Sequence, residues 1–115
     1  MKIAFTAKGN SWSSEMDSRF GRADFILIYD DVSGTLNSFD NRAIADVAHG
    51  AGPKTAQKIL ELEPAVLITG NGPGGNAAAV LNEGNIKVFV GAANGTVKDA
   101  LEKYKKAKLQ AFNLN

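Results

Sequence analysis

Apolar residues in the first forty positions come in short runs that are separated by polar or glycine-containing stretches. Residues 3–7 form a first candidate strand, and residues 25–29 are apolar at nearly every position, which is typical of a strand that is buried on both faces. Residues 30–34 have the composition of a turn, and the more polar run 35–40 follows them. The sequence therefore predicts one strand and then a hairpin whose second strand lies at a sheet edge.

The spacing of apolar residues after position 50 alternates between that of helices and that of strands. Helices are predicted over residues 53–63 and 76–83, and a last helix is predicted to begin after Thr96, a favourable N-cap residue. The apolar runs between the helices predict two more strands, over residues 65–69 and 86–90. Because a helix separates these strands, we expect them to be parallel.

The predicted order of elements is βββαβαβα, which describes a single α/β domain over residues 1–115. Its mixed five-stranded sheet would be flanked by helices. Ten of the twelve glycines then fall in loops that open at one edge of the sheet, where the parallel strands end. These loops are residues 8–22, 41–52, 70–76 and 91–95. Open α/β sheets bind their ligands at this edge.

Positive charge gathers at the same predicted edge. Lys8, Arg19 and Arg22 lie in its first loop. The three predicted helices would begin there, each with a partial positive charge at its N-terminus. Glycine also lets backbone N–H groups come close to a ligand. The sequence therefore predicts that this edge binds an anion.

Composition excludes several kinds of site and partner. The chain has no cysteine and one histidine, His49, so disulfides, cysteine-held metal centres and sites with several histidine ligands are excluded. Thirteen Lys and Arg against twelve Asp and Glu leave a net charge of +1, so neither nucleic acid nor a membrane is expected as a partner. The start of the chain does not have the pattern of a signal peptide, and we expect a cytoplasmic location.

A glycine-rich segment leaves a second kind of ligand open. Gly70-Asn71-Gly72-Pro73-Gly74-Gly75 has the G-x-G-x-x-G pattern of a dinucleotide site between a strand and a helix. However, Pro73 removes one N–H donor, and no acidic residue follows the next predicted strand. Besides anion binding, two alternatives stay open. One is a small-molecule or nucleotide-binding module that uses this loop, and the other is a protein-interaction accessory domain.

Five segments, in this order, resemble one known family. They are Arg19-Phe20-Gly21-Arg22-Ala23, His49-Gly50-Ala51-Gly52-Pro53, Ile68-Thr69-Gly70-Asn71-Gly72, Asn76-Ala77 and the run from Gly91 to Val97. The chain is similar, from residue 1 to about residue 109, to the dinitrogenase iron–molybdenum cofactor biosynthesis family. This family includes NifX-like carriers, the C-terminal domain of NifB and small stand-alone proteins.

The resemblance implies a ribonuclease H-like topology without nuclease activity. It also implies a non-catalytic carrier of an anionic metal–sulfur cluster, either the iron–molybdenum cofactor or another molybdenum-containing sulfide cluster, held without covalent bonds. A protein that donates or accepts the cluster is the implied partner, and we expect a monomer or a weak dimer.

Carried over onto this chain, the family's histidine falls on His49, which would be the one metal ligand. The arginines of the Arg-Phe-Gly-Arg segment fall on Arg19 and Arg22. The cofactor-binding residues that we predict are Arg19, Gly21, Arg22, His49, Gly50, Gly52, Gly70, Gly72 and Asn76. No catalytic residue is expected.

Overall fold

The computed structural model describes residues 1–114, and the elements within them alternate largely as the sequence predicts. No helix in this part of the chain is long and apolar enough to cross a membrane. In chain order the elements are β1 (Lys2–Ala7), β2 (Phe25–Asp30), β3 (Thr35–Asp40), α1 (Arg42–Ala45), α2 (Ala51–Leu62), β4 (Val66–Ile68), α3 (Gly75–Asn82), β5 (Lys87–Val90), α4 (Val97–Lys105) and β6 (Gln110–Phe112).

The strands form one mixed sheet in the order β3-β2-β1-β4-β5-β6. β1, β4 and β5 are parallel to one another, whereas β2 runs antiparallel to both β1 and β3. β3 therefore runs in the same direction as β1 and lies at a sheet edge, as its polar sequence predicts. The α/β class and the mixed sheet are confirmed, and the ribonuclease H-like topology stays a prediction.

The prediction of a five-stranded sheet was wrong, because β6 pairs antiparallel with β5 as a sixth strand. β6 has only three residues, and none of them is fully buried. So short a segment cannot show the apolar alternation that marks a strand. α1 is a single turn and was also not predicted. α2 begins at Ala51 rather than at Pro53, because the left-handed backbone of Gly50 (φ 79°) provides the N-cap.

Alternation along β1 divides the core into two layers. Ile3, Phe5 and Ala7 pack with α4 on one face of the sheet, and Ala4 packs with α2 and α3 on the other. Successive side chains of a strand point to opposite faces, so one apolar strand supplies both layers. Phe5 is completely buried, and truncating such a ring to alanine costs about 3–5 kcal/mol.

The only tryptophan of the chain packs in the α4 layer. Trp12 makes edge-on contacts with Phe5 and Tyr29, with ring centroids 6.2 Å and 5.1 Å away. Its backbone carbonyl accepts a hydrogen bond from the Lys98 N–H at 3.0 Å. These contacts join the loop after β1 to the first turn of α4.

β6 is joined to the rest of the chain by side-chain packing as well as by strand pairing. A Cβ atom on Gly72 would lie 2.2 Å from the nearest ring carbon of Phe112, far closer than two carbon atoms can pack. The loop between β4 and α3 can therefore approach the ring only because residue 72 has no side chain.

We expect Gly72→Ala to lower the free energy of unfolding by about 1–3 kcal/mol, because the added methyl group overlaps the Phe112 ring. In a Phe112→Ala background the same change should cost less, since the obstructing ring is gone. Urea unfolding of the four proteins measures both values. Gly74→Ala is the control, because a Cβ atom there has open space. An equal cost of Gly72→Ala in both backgrounds would contradict the packing argument.

Candidate functional site

Four loops meet at the edge of the sheet where β1, β4 and β5 end. Three of them follow these strands directly, and they are residues 8–24, 69–74 and 91–96. The register pairs Ala7 of β1 with Phe25 of β2, and Phe25 with Asp40 of β3. The fourth loop, which begins after Asp40, therefore starts at the same edge. The strand directions thus bring the predicted site loops together.

The Arg-Phe-Gly-Arg segment packs directly on the first turn of α2. A Cβ atom on Gly21 would lie 2.7 Å from both the Cα and the N atom of Gly52, so only glycine fits. The Gly21 carbonyl accepts a hydrogen bond from Thr55 Oγ1 at 3.1 Å. Asn41 Nδ2 donates to the Ala23 carbonyl at 2.9 Å and to Thr55 Oγ1 at 3.0 Å. Asn41 and Thr55 are buried, and sequence reasoning missed both.

The first turns of α2 and α3 lie side by side. A Cβ atom on Gly52 would be 3.6 Å from the Ala77 Cβ, which is ordinary van der Waals contact. The N-cap residues are Gly50 and Gly74, and no side chain caps either helix. The first N–H groups of a helix lack partners within the helix. The N–H groups of Ala51 and Gly52 at the positive end of α2 therefore lie near those at the start of α3, whereas Pro53 has no N–H.

The first turn of α4 differs because it has its own anionic cap. The Asp99 N–H donates to Thr96 Oγ1 at 3.2 Å, and the Thr96 N–H donates to Asp99 Oδ2 at 3.0 Å. The hydrogen bond from the Thr96 backbone lowers the pKa of Asp99, which keeps the carboxylate charged. Its charge offsets the positive end of α4. Of the three helix N-termini that the sequence predicts at this edge, those of α2 and α3 are the ones without a side-chain cap.

Arg19 has an exposed side chain that is held by a buried carboxylate. Arg19 Nε donates to Asp17 Oδ1 at 3.2 Å, and Nη2 donates to Asp17 Oδ2 at 3.4 Å. The side chain of Arg19 is 61% exposed and that of Asp17 is 1% exposed. The side-chain hydrogen bond to Asp17 raises the pKa of Arg19. Asp17 was not among the predicted residues.

Arg22 is engaged with the backbone in front of α2. Its Nη1 donates to the carbonyls of Ala45 at 2.7 Å and of Val47 at 2.6 Å. These carbonyls belong to the end of α1 and to the loop that carries His49. Arg22 therefore fixes the position of this loop, and its predicted direct contact with a ligand stays a prediction.

His49, Gly50 and Asn76 lie exposed at the rim of the edge. His49 immediately precedes the N-cap residue of α2, and Asn76 is in the first turn of α3. A Cβ atom on Gly50 would meet nothing within 4 Å. Residues 1–114 contain no cluster of three or more His, Cys, Asp or Glu side chains that could hold a metal ion. The ligand role of these residues stays a prediction.

Gly70 and Gly72 are needed for close packing within the protein. A Cβ atom on Gly70 would lie 2.7 Å from the Asp17 carbonyl oxygen and 2.8 Å from the Ser18 Cα. Gly72 lies against Phe112, as described above. Packing within the protein therefore explains why both residues are glycine. Their predicted contact with a ligand stays a prediction.

A surface cavity of about 390 Å³ lies along the α4 face of the sheet. It contains none of the predicted site residues. Its lining residues are Trp12, Lys98, Leu101, Glu102 and Lys105.

Comparisons with known proteins give one matching family model and similar solved structures. The family model described as dinitrogenase iron–molybdenum cofactor matches residues 1–107. The apo form of the orange protein from Desulfovibrio gigas is 31% identical, with a TM-score of 0.87 over 96% of this chain and 92% of that one. A proposed NifB protein from Thermotoga is also 31% identical, with a TM-score of 0.82 over 96% of this chain and 91% of that one. No curated protein matches the chain.

We expect Arg22→Gln to lower the free energy of unfolding by about 1–3 kcal/mol, because two backbone carbonyls lose a charged donor. Urea unfolding measures the loss. Arg42→Gln removes the same charge from an exposed ion pair with Asp40 and should have a smaller effect. If both variants lose equally little stability, Arg22 does not hold the loop.

Proposed function

We propose, because the chain belongs to the dinitrogenase iron–molybdenum cofactor family, that it is a non-catalytic carrier of an anionic metal–sulfur cluster. The cluster is its cargo, either the iron–molybdenum cofactor or another molybdenum-containing sulfide cluster. It would bind without covalent bonds at the edge of the sheet where β1, β4 and β5 end. The protein would act in the cytoplasm, as a monomer or weak dimer, and exchange the cluster with a donor or acceptor protein.

The observation that carries this proposal is the contact between the first turns of α2 and α3. No side chain caps the N–H groups of either turn, although Pro53 of α2 has no N–H, and Gly52 meets Ala77 between the two turns. Backbone N–H groups at a positive helix end bind anions without needing a particular side chain. Two such ends side by side suit a ligand that is larger than a single oxyanion.

His49 would supply the one metal bond, from an exposed position next to the N-cap of α2. A neutral imidazole is a common metal ligand. The chain contains no cysteine, so no thiolate can add a strong bond to iron, copper or molybdenum. Binding through one imidazole and several hydrogen bonds would be readily reversible, as the transfer of a cargo requires.

The proposal is tested by anaerobic titration with the iron–molybdenum cofactor and, separately, with a thiomolybdate–copper cluster. Visible absorption and the metal retained after gel filtration report binding. We expect stoichiometric retention of one of the two clusters. If a folded protein retains neither, the carrier proposal fails, and nucleotides would then test the alternative site in the Gly70–Gly75 loop.

Asn76→Asp tests whether the cargo binds at the first turn of α3. The substitution keeps the size of the side chain and adds a negative charge to the first turn of α3, so we expect the affinity for the retained cluster to fall about tenfold. The same charge stabilises the helix, so unfolding cannot explain the loss. Asn37→Asp is the matched control on exposed β3 and should leave the affinity within about twofold of wild type. Equal losses of affinity in both variants would mean that the change in net charge, and not its position, weakens binding.

His49→Ala tests the metal bond. We expect at least a tenfold loss of affinity for the retained cluster and a change in its visible spectrum, because one metal–nitrogen bond is lost. The thermal midpoint should stay unchanged, since the side chain is exposed. Unchanged affinity together with an unchanged spectrum would remove His49 from the site.

A further inference from the structure

The Asp17–Arg19 pair is unequal, because one partner is buried and the other is exposed. Both carboxylate oxygens of Asp17 accept hydrogen bonds from the Arg19 side chain, and the Arg19 backbone N–H also donates to Asp17 Oδ1, at 2.9 Å. A buried carboxylate without a partner is strongly destabilising. An exposed arginine, by contrast, is free to sample many rotamers. The pair therefore restricts Arg19 to one orientation.

Asp17 itself has a fixed position in the fold. Its backbone N–H donates to the Thr6 carbonyl at 3.0 Å, and its own carbonyl lies against Gly70. The hydroxyl groups of Thr6 and Thr69 share a buried hydrogen bond of 2.7 Å. Asp17 is thus attached to the ends of both β1 and β4, so the carboxylate that orients Arg19 is rigidly placed.

The contacts of Arg19 leave part of its guanidinium for a ligand. Of its five N–H donors, one on Nε and one on Nη2 go to Asp17, and Nη2 also donates to the Arg22 carbonyl at 3.4 Å. Among the contacts that the structure describes for residues 1–114, the two N–H groups on Nη1 have no acceptor. They are oriented by the other three.

Arg19 lies in a segment whose backbone contacts both the loop after β4 and the first turn of α2. The Asn71 N–H donates to the carbonyl of Ser18, its neighbour in sequence, at 3.0 Å. Gly21, two residues after Arg19, contacts Gly52 in the first turn of α2. The oriented guanidinium therefore belongs to the segment that touches both sides of the proposed binding edge.

We propose that Asp17 is the positioning residue of this edge: it fixes Arg19 so that the two Nη1 donors are held ready for an anionic cluster. The inference rests on the proposed function. Because the charge of Asp17 offsets that of Arg19, Arg19 contributes directed hydrogen bonds rather than long-range attraction. Asp17 does not touch the cargo.

The test is a double-substitution cycle of Asp17→Asn and Arg19→Lys, and the probe is whichever of the thiomolybdate–copper cluster and the iron–molybdenum cofactor wild type retains. Lysine keeps the charge of Arg19 but lacks the planar fork of donors. We expect Arg19→Lys to weaken binding about tenfold in wild type and less than twofold in Asp17→Asn, where the guanidinium is already free to move. If Arg19→Lys costs the same in both backgrounds, Asp17 does not act through Arg19 and the inference is wrong.

Nitrogen-15 NMR of the arginine Nε–H groups supplies a second readout that needs no cargo. The Arg19 signal should exchange slowly with water in wild type and at least tenfold faster in Asp17→Asn. Glu15→Gln is the matched control, because it removes an equal charge from an exposed partner of Lys8 in the same loop, and it should change neither measurement. Fast exchange of Arg19 in wild type overturns the inference even if Asp17→Asn does not fold.

The two proposals fail in different ways. If wild type retains neither of the two clusters, the carrier function fails and the positioning role fails with it. If wild type binds a cluster but the cycle shows no coupling, the positioning role alone is lost.

Discussion

The backbone contact between Gly21 and the first turn of α2 is the constraint on which the candidate site depends. No side chain fits at residue 21, because its Cβ atom would overlap the backbone of Gly52. Gly52 in turn lies against Ala77 of α3, so three segments from distant parts of the sequence meet through two glycines. The buried hydrogen bonds of Thr55 and Asn41 fix the same junction from behind. A side chain at residue 21 would therefore force the first turn of α2 away from the arginine segment.

Most charged groups at this edge of the sheet are paired with partners within the protein. Arg22 is engaged by two carbonyls, Arg19 by Asp17, and the first turn of α4 by Asp99. The positive potential of the edge therefore comes mainly from backbone N–H groups at the starts of α2 and α3. Helix ends of this kind bind anions through backbone N–H groups. The proposed binding of an anion at this edge is therefore compatible with the net charge of +1 of the chain.

The sequence predicts where the candidate loops gather better than it predicts their contacts. The parallel strand order follows from the helices between the later strands, and strand direction alone collects the loops at one edge. The burial of Asp17 could not be predicted, because nothing local distinguishes it from a surface carboxylate. The contact of Gly72 with Phe112 joins residues forty positions apart, and β6 is too short and too exposed for a periodic pattern. A glycine in the sequence shows that a side chain is absent, but not which neighbouring atoms leave no room for one.

The two-layered core also has a spectroscopic consequence. The paired helix ends belong to the layer of α2 and α3, whereas Trp12 packs with Phe5 and Tyr29 in the α4 layer. The protein's sole indole fluorophore is therefore built into the layer opposite the one that carries the paired helix ends. Its emission reports the integrity of the α4 layer, and a light-absorbing group bound at those helix ends would quench it through space, by energy transfer, without touching it.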